Sequence, residues 1–188
     1  VDIRNCRFDV DMPFLIQRHV SLCAVDIRGD QPSEVAGSEF YGGQGCLSIK
    51  GKYSKVHDNR FVNAQTVTNH YSIMGTGDSS QIYNNRFEPQ QGSGIYVTRY
   101  TEVRDNLFTI ETSPPTCEYG REEYSTAAIR LGDYHAEPGS PRASLGSRIH
   151  HNTIRIIAKS YPAPDAYLPM AWGVFYSASG GQNYVYDN

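Results

Sequence analysis

The chain has no run approaching the roughly 18 apolar residues of a membrane span, so no membrane-inserted helix is expected. Nor does it carry a basic excess: 17 Lys and Arg face 20 Asp and Glu, a net charge of −3. That balance excludes a generally basic nucleic-acid binder. Methionine (three) and tryptophan (one) are scarce. Four cysteines show no zinc-ligand spacing, and there is no ordered Asp series of the EF-hand or nonapeptide calcium type.

What the chain does have is tyrosine (14), phenylalanine (seven) and a length of 188 residues, enough for one domain with a sizeable core. It also repeats itself. IYNNRF (Ile82 to Phe87) matches VHDNRF (Val56 to Phe61), VRDNLF (Val103 to Phe108), IHHNTI (Ile149 to Ile154) and the truncated VYDN at Val185. IRNCRF (Ile3 to Phe8) and VAGSEF (Val35 to Phe40) are degenerate copies. The fourth position is then Cys6, Ser38, Asn59, Asn85, Asn106, Asn152 and Asn188, at intervals of 32, 21, 26, 21, 46 and 36 residues. The shortest interval sets the unit. Five of the seven Phe occupy the sixth position, and Ile154 completes that column.

A second element precedes most copies: VDIRG (Val25), LSIKG (Leu47), YSIMG (Tyr71), SGIYV (Ser93), AAIRL (Ala127) and WGVFY (Trp172). Each alternates as a strand with one buried face should. A unit of about 21 residues with β periodicity, an Asn at a turn and variable insertions implies a parallel β-solenoid. Like side chains then stack about 4.8 Å apart. Asn above Asn can pass amide hydrogen bonds along a ladder, and Phe above Phe can fill the interior.

On these motifs, from Val1 to Asn188, the chain resembles the right-handed parallel β-helix repeats (PbH1 type) of the pectate-lyase-like superfamily. The resemblance implies an all-β fold of about six to seven coils and a single domain spanning 1–188. It also implies an extracellular or cell-surface protein whose partner is a polysaccharide. The superfamily includes polysaccharide lyases, glycoside hydrolases, epimerases, tailspikes and non-enzymatic surface proteins, so the fold alone does not select an activity. The chain opens inside one repeat and stops inside another without the polar caps that solenoid ends need. An excerpt of a longer solenoid is expected, or a subunit whose open ends associate end to end. Cys23 and Cys46, one coil apart, could bridge or remain buried thiols. Cys6 is expected inside, and Cys117 lies in an insertion without an assigned partner.

Insertions in solenoids gather on one face. Three interrupt the repeat, at 111–125, 132–147 and 158–169, and they hold Glu122, Glu123, Asp133, Tyr134, His135, Glu137, Tyr161, Asp165 and Tyr167. If Ile27, Ile49, Ile73, Ile95 and Ile129 point inward, alternation puts Asp26, Ser48, Ser72, Gly94 and Ala128 in one outward column. Arg28, Lys50, Met74, Tyr96 and Arg130 form the next. Asp26 neutralising Arg28 and Lys50 is the plain reading of that face. The sharper one is a shelf for an anionic glycan, with substrate-binding Arg28, Lys50, Tyr96 and Tyr134. β-Elimination would use Arg130 or Lys50 to neutralise a uronate and His135 or Tyr134 as base. Hydrolysis would draw two carboxyl groups from Asp133, Glu122, Glu123 and Glu137. A lyase or hydrolase, a glycan-binding or adhesive module, and a structural solenoid segment of a surface protein or fibre are the three function classes. No metal site is assigned, and calcium on the loop carboxylates is the one cofactor the composition could take.

Overall fold

The computed structural model describes residues 1–10, 23–42, 45–62, 71–73, 75, 77–90, 93–111, 126–132, 144–157, 171–176 and 181–188. Every regular element among them is a β-strand, and every strand pairing is parallel. The strands form three sheets, one of seven and two of six. The first contains Asp2–Arg4, Glu34–Ala36, Lys55–His57, Gln81–Tyr83, Glu102–Arg104, Arg148–His150 and Tyr184–Tyr186. The second contains Arg7–Val10, Glu39–Gly42, Arg60–Val62, Arg86–Gln90, Leu107–Glu111 and Thr153–Ile157. The third contains Cys23–Ile27, Gly45–Ile49, Tyr71–Ile73, Ser93–Val97, Thr126–Leu131 and Ala171–Tyr176. The chain visits first, second and third sheet in turn, so three strands make one coil: the protein is a parallel β-helix.

Each six-residue repeat joins the first sheet to the second through a two-residue turn. The residue before the ladder position is left-handed in all seven coils: Asn5, Gly37, Asp58, Asn84, Asp105, His151 and Asp187, with φ between 52° and 60°. Those are the residue types that tolerate this region. The next residue turns its side chain into the wall. Asn59 Nδ2 donates to Asn85 Oδ1 at 3.0 Å, Asn85 to Asn106 at 3.0 Å, Asn106 to Asn152 at 3.0 Å and Asn152 to Asn188 at 2.9 Å. Each acceptor oxygen also takes a backbone N–H from the preceding coil, as Asn85 Oδ1 does from Asn59 N. Ser38 and Cys6 continue the line by backbone donation alone, Ser38 N to Asn59 Oδ1 and Cys6 N to Ser38 Oγ.

Two residues later the phenylalanines enter the core. Phe8, Phe40, Phe61, Phe87 and Phe108 stack in sequence with centroid separations of 4.9, 4.8, 4.8 and 4.5 Å. The last four are at most 1 % exposed, and Ile154 pairs with Phe108 at the column's end. Stacked rings at strand spacing bury a large apolar area in every coil.

A second ladder runs along the turn that enters the first sheet. Ser33 N donates to Ser54 Oγ, Ser54 N to Ser80 Oγ, Thr101 N to Ser147 Oγ and Ser147 N to Asn183 Oδ1. The sequence does signal it: Ser33, Ser54, Ser80, Thr101, Ser147 and Asn183 all stand two residues before the first apolar residue of the six-residue repeat.

The third sheet departs from the expected columns. Ile27 pairs with Ile49, but Leu47, not Ile49, pairs with Ile73. The strands of later coils are therefore offset by two residues. Asp26 and Ser48 stand in the line of Tyr96, Arg130 and Phe175, while Arg28 and Lys50 lie two residues nearer the turn. A slip of two keeps every side chain on its own face and leaves the hydrophobic pattern unchanged. Gly94 and Ala128 are not on the outer face either. A Cβ on Gly94 would come within 2.8 Å of the Phe108 ring and 2.5 Å of the Ala128 carbonyl oxygen, and Ala128 belongs to the buried core. Cys6 is exposed, not interior; its Sγ turns back onto the carbonyl oxygen of Arg4 at 3.3 Å. In the backbone ladder Cys23 pairs with Gly45; Cys117 lies outside the described residues.

Phe87→Ala should lower stability by about 3 to 5 kcal/mol, as cavity formation in a packed interior does. Arg86, exposed and paired with Glu88, should cost less than about 1 kcal/mol when replaced by Ala, since Glu88 keeps Arg60. Urea unfolding of the two variants checks the inward face, and equal shifts would refute it. In the same assay Asn85→Ala should cost at least about 2 kcal/mol, because it strands buried donors of the Asn59 turn.

Candidate functional site

The outer face of the third sheet begins with two exposed cations. Arg28 and Lys50 follow the paired residues Ile27 and Ile49, and Arg28 Nε donates to Asp26 Oδ2 at 2.6 Å. That bond, with help from Ser48 and the charge of Lys50, holds the Asp26 carboxyl below its ordinary range, against some desolvation. The plain reading of this corner is what the geometry shows. The Asp26 carboxylate lies within the field of both cations and is hydrogen-bonded to the first.

Further along, the face is aromatic and closed. Tyr96 is half-buried and its ring is tilted against Tyr71 at 5.6 Å. Arg130 is only 3 % exposed. Its Nη1 donates to Tyr71 Oη at 2.9 Å and its guanidinium lies 5.1 Å from the centre of the Phe175 ring, which in turn contacts Trp172 at 5.6 Å. An arginine held this way braces three coils: desolvated cation–π and hydrogen-bond contacts keep its planar group in place. Arg130 thus sits in the same line as Tyr96, as expected from the sequence, but it is an embedded group and not a free arm over the surface.

Glu122, Asp133, Tyr134 and His135 lie outside the described residues, as do Met74, Glu123, Glu137, Tyr161, Asp165 and Tyr167. The described strand ends fix where their segments attach. Those at 111–125 and 158–169 lead from the second sheet into the third, and that at 132–147 leaves the third for the first. All three flank the third sheet. Among the described residues no group of three or more His, Cys, Asp or Glu could hold a metal ion, and no helix is long and apolar enough to cross a membrane.

The sequence reading missed a second decorated surface, the outer face of the first sheet. Arg4, Ala36, His57, Tyr83, Arg104, His150 and Tyr186 align there through successive strand pairs. His57 stacks on Tyr83 at 4.6 Å and 4°, Arg104 lies over Tyr83 at 4.5 Å, and His150 stacks on Tyr186 at 5.0 Å and 7°. The signal was available: these are the residues just after the first apolar position of each repeat. Their charges satisfy one another. His57 spans Glu34 at 2.8 Å and Asp58 at 2.7 Å, Arg4 reaches Glu34 at 2.9 Å, Arg104 pairs with Asp105 at 2.7 Å, and His150 approaches Glu102 at 3.3 Å. The His57 hydrogen bond and the Arg4 charge keep the Glu34 carboxyl below its ordinary range, outweighing desolvation. Burial, then the nearby Glu34 and Asp58 charges, raise the Tyr83 hydroxyl. A face so fully paired acts as an external brace.

No family model, curated protein or solved structure matches the chain. What it can do therefore rests on the geometry above.

A carboxyl depressed in the folded state contributes stability above its unfolded value and loses it as pH falls through the folded value. The Glu34 contribution should accordingly be complete above about pH 4.5, the ordinary value for glutamate, and fade as the pH falls further below it. Glu34→Gln should lower the melting temperature at pH 7, and its difference from the parent should shrink as the pH is taken progressively below 4.5. Thermal melts of both proteins across that range check it; a difference unchanged at low pH would contradict the pairing.

Proposed function

We propose that the protein binds an acidic, uronate-type polysaccharide along the outer face of its third sheet, as a β-helix of the right-handed, pectate-lyase-like kind working outside the cell or at its surface. One observation carries the reading: Arg28 and Lys50 are both exposed and follow the paired residues Ile27 and Ile49, so two cations stand side by side, one coil apart, on the outward corner. Neither cation is needed to close the solenoid, since the Asn and Phe columns do that. Two adjacent exposed cations suit a ligand carboxylate, and the half-buried Tyr96 and the 40 % exposed Trp172 further along the face offer planar apolar surface to sugar rings. Catalysis by β-elimination or hydrolysis would need Glu122, Asp133, Tyr134 or His135, all beyond the described residues, so the proposal is confined to binding.

The test uses polygalacturonate. Replacing both Arg28 and Lys50 by Ala should weaken binding about tenfold, the sum of two exposed ion pairs, with the melting temperature unchanged. Parent binding should fall with added salt, because exposed charges are screened. Arg130→Ala should instead lower the melting temperature, its guanidinium being embedded among Tyr71 and Phe175. Binding that ignores salt, or no binding by the parent at any salt, would overturn the reading; the second outcome is that of a purely structural solenoid.

A further inference from the structure

The turn from the third sheet to the first also uses a left-handed residue, one position before the hydroxyl ladder. The residues are Tyr53, Ser79, Tyr100 and Gly146 in four successive coils, with φ of 58°, 62°, 55° and 65°. Ser79 and Gly146 show that the fold asks for no large side chain there. A bulky residue at positive φ is an outlier that works against local preference. Yet tyrosine occupies two of the four positions and contributes little to the core, being 66 % exposed at Tyr53 and 50 % at Tyr100. Tyr100 is also held in place: a Cβ on Gly146 would fall 2.6 Å from its ring, so the ring lies against the bare backbone of the next coil.

The residues just before these four are Lys52, Asp78, Arg99 and Leu145. Lys52 is exposed and Asp78 and Arg99 are half-buried. Along the axis the edge therefore reads cation with tyrosine, acid with serine, cation with tyrosine. The two like units stand two coils apart, about 9.6 Å at ordinary strand spacing. In an extended polysaccharide whose successive sugars are flipped, every second ring presents the same face, with a rise close to two coils.

We infer that this edge is a glycan subsite for an acidic polysaccharide whose carboxylate recurs on every second sugar, an inference that rests on the glycan-binding reading above. Each uronate ring stacks on Tyr53 or Tyr100 with its carboxylate toward Lys52 or Arg99. The neutral sugar between them presents hydroxyl groups to Asp78 and Ser79. A homopolymeric uronate would bring a carboxylate against Asp78, and like charges repel. Lys50, two residues before Lys52, links this edge to the cationic corner of the third sheet.

The experiment measures calorimetric affinity for hyaluronan oligosaccharides, which alternate glucuronate and N-acetylglucosamine, and for oligogalacturonates of equal length. The parent should prefer the alternating ligand. Tyr53→Asn and Tyr100→Asn should each weaken it about tenfold, the loss of one stacked ring, without lowering the melting temperature, because Asn accepts the left-handed conformation. Asp78→Asn should raise affinity for the homopolymer and remove the preference. Tyrosine variants that bind as the parent does, or a parent that prefers the homopolymer, would overturn the inference. If the Arg28 and Lys50 replacements abolish binding while both tyrosine variants retain it, the sheet-face reading stands and this one falls. A parent that binds neither ligand refutes both.

Discussion

Coil-to-coil hydrogen bonding at a turn of constant length governs this molecule. Between the first and second sheets each coil spends two residues, the first left-handed and the second a ladder residue. That turn sets the angle between the two sheets, and the ladder satisfies buried backbone donors that a sharp corner would otherwise strand. With the corner fixed, the apolar residue three positions earlier and the phenylalanine two positions later have no choice of face. The unbroken stack from Phe8 to Phe108 follows from that geometry as much as from ring attraction.

The other two corners are treated differently. Entry to the first sheet has its own ladder, of hydroxyls from Ser54 to Ser147 with Asn183 at its end. The passage from second to third sheet varies in length from coil to coil, and there the strand pairing slips by two residues between Leu47 and Ile73. The passage from third to first sheet varies too, but always before its ladder residue, as between Leu131 and Ser147. Two of the long insertions fall between the second and third sheets and the other between the third and first, so variation in length gathers on either side of the third sheet.

Charge is distributed by the same logic. On the first sheet, cations, carboxylates and rings of successive coils come into stacking and hydrogen-bonding contact and neutralise one another. On the third sheet, Asp26 lies between Arg28 and Lys50, and Arg130 is withdrawn against Tyr71 and Phe175. A surface paired in this way stabilises the wall.

The sequence by itself determined the coil, the Asn ladder and the Phe stack, because all three recur at fixed short spacing and a local pattern suffices to place them. It also carried the hydroxyl ladder and the first-sheet ring column, legible as the residues two before and one after the first apolar position, such as Ser80 and Tyr83 around Ile82. Tertiary structure alone decided the pairing in the third sheet, since a slip of two residues preserves the face and leaves no trace in the hydrophobic alternation. It also decided the fate of Arg130: alternation marks a residue as outward, but whether that outward side is open water or a pocket of rings depends on Tyr71 and Phe175, which lie 59 and 45 residues away in the chain. The candidate site was legible where neighbours in sequence make it, at Asp26 and Arg28, and illegible where neighbouring coils do, since contacts between coils are set by pairing and not by spacing.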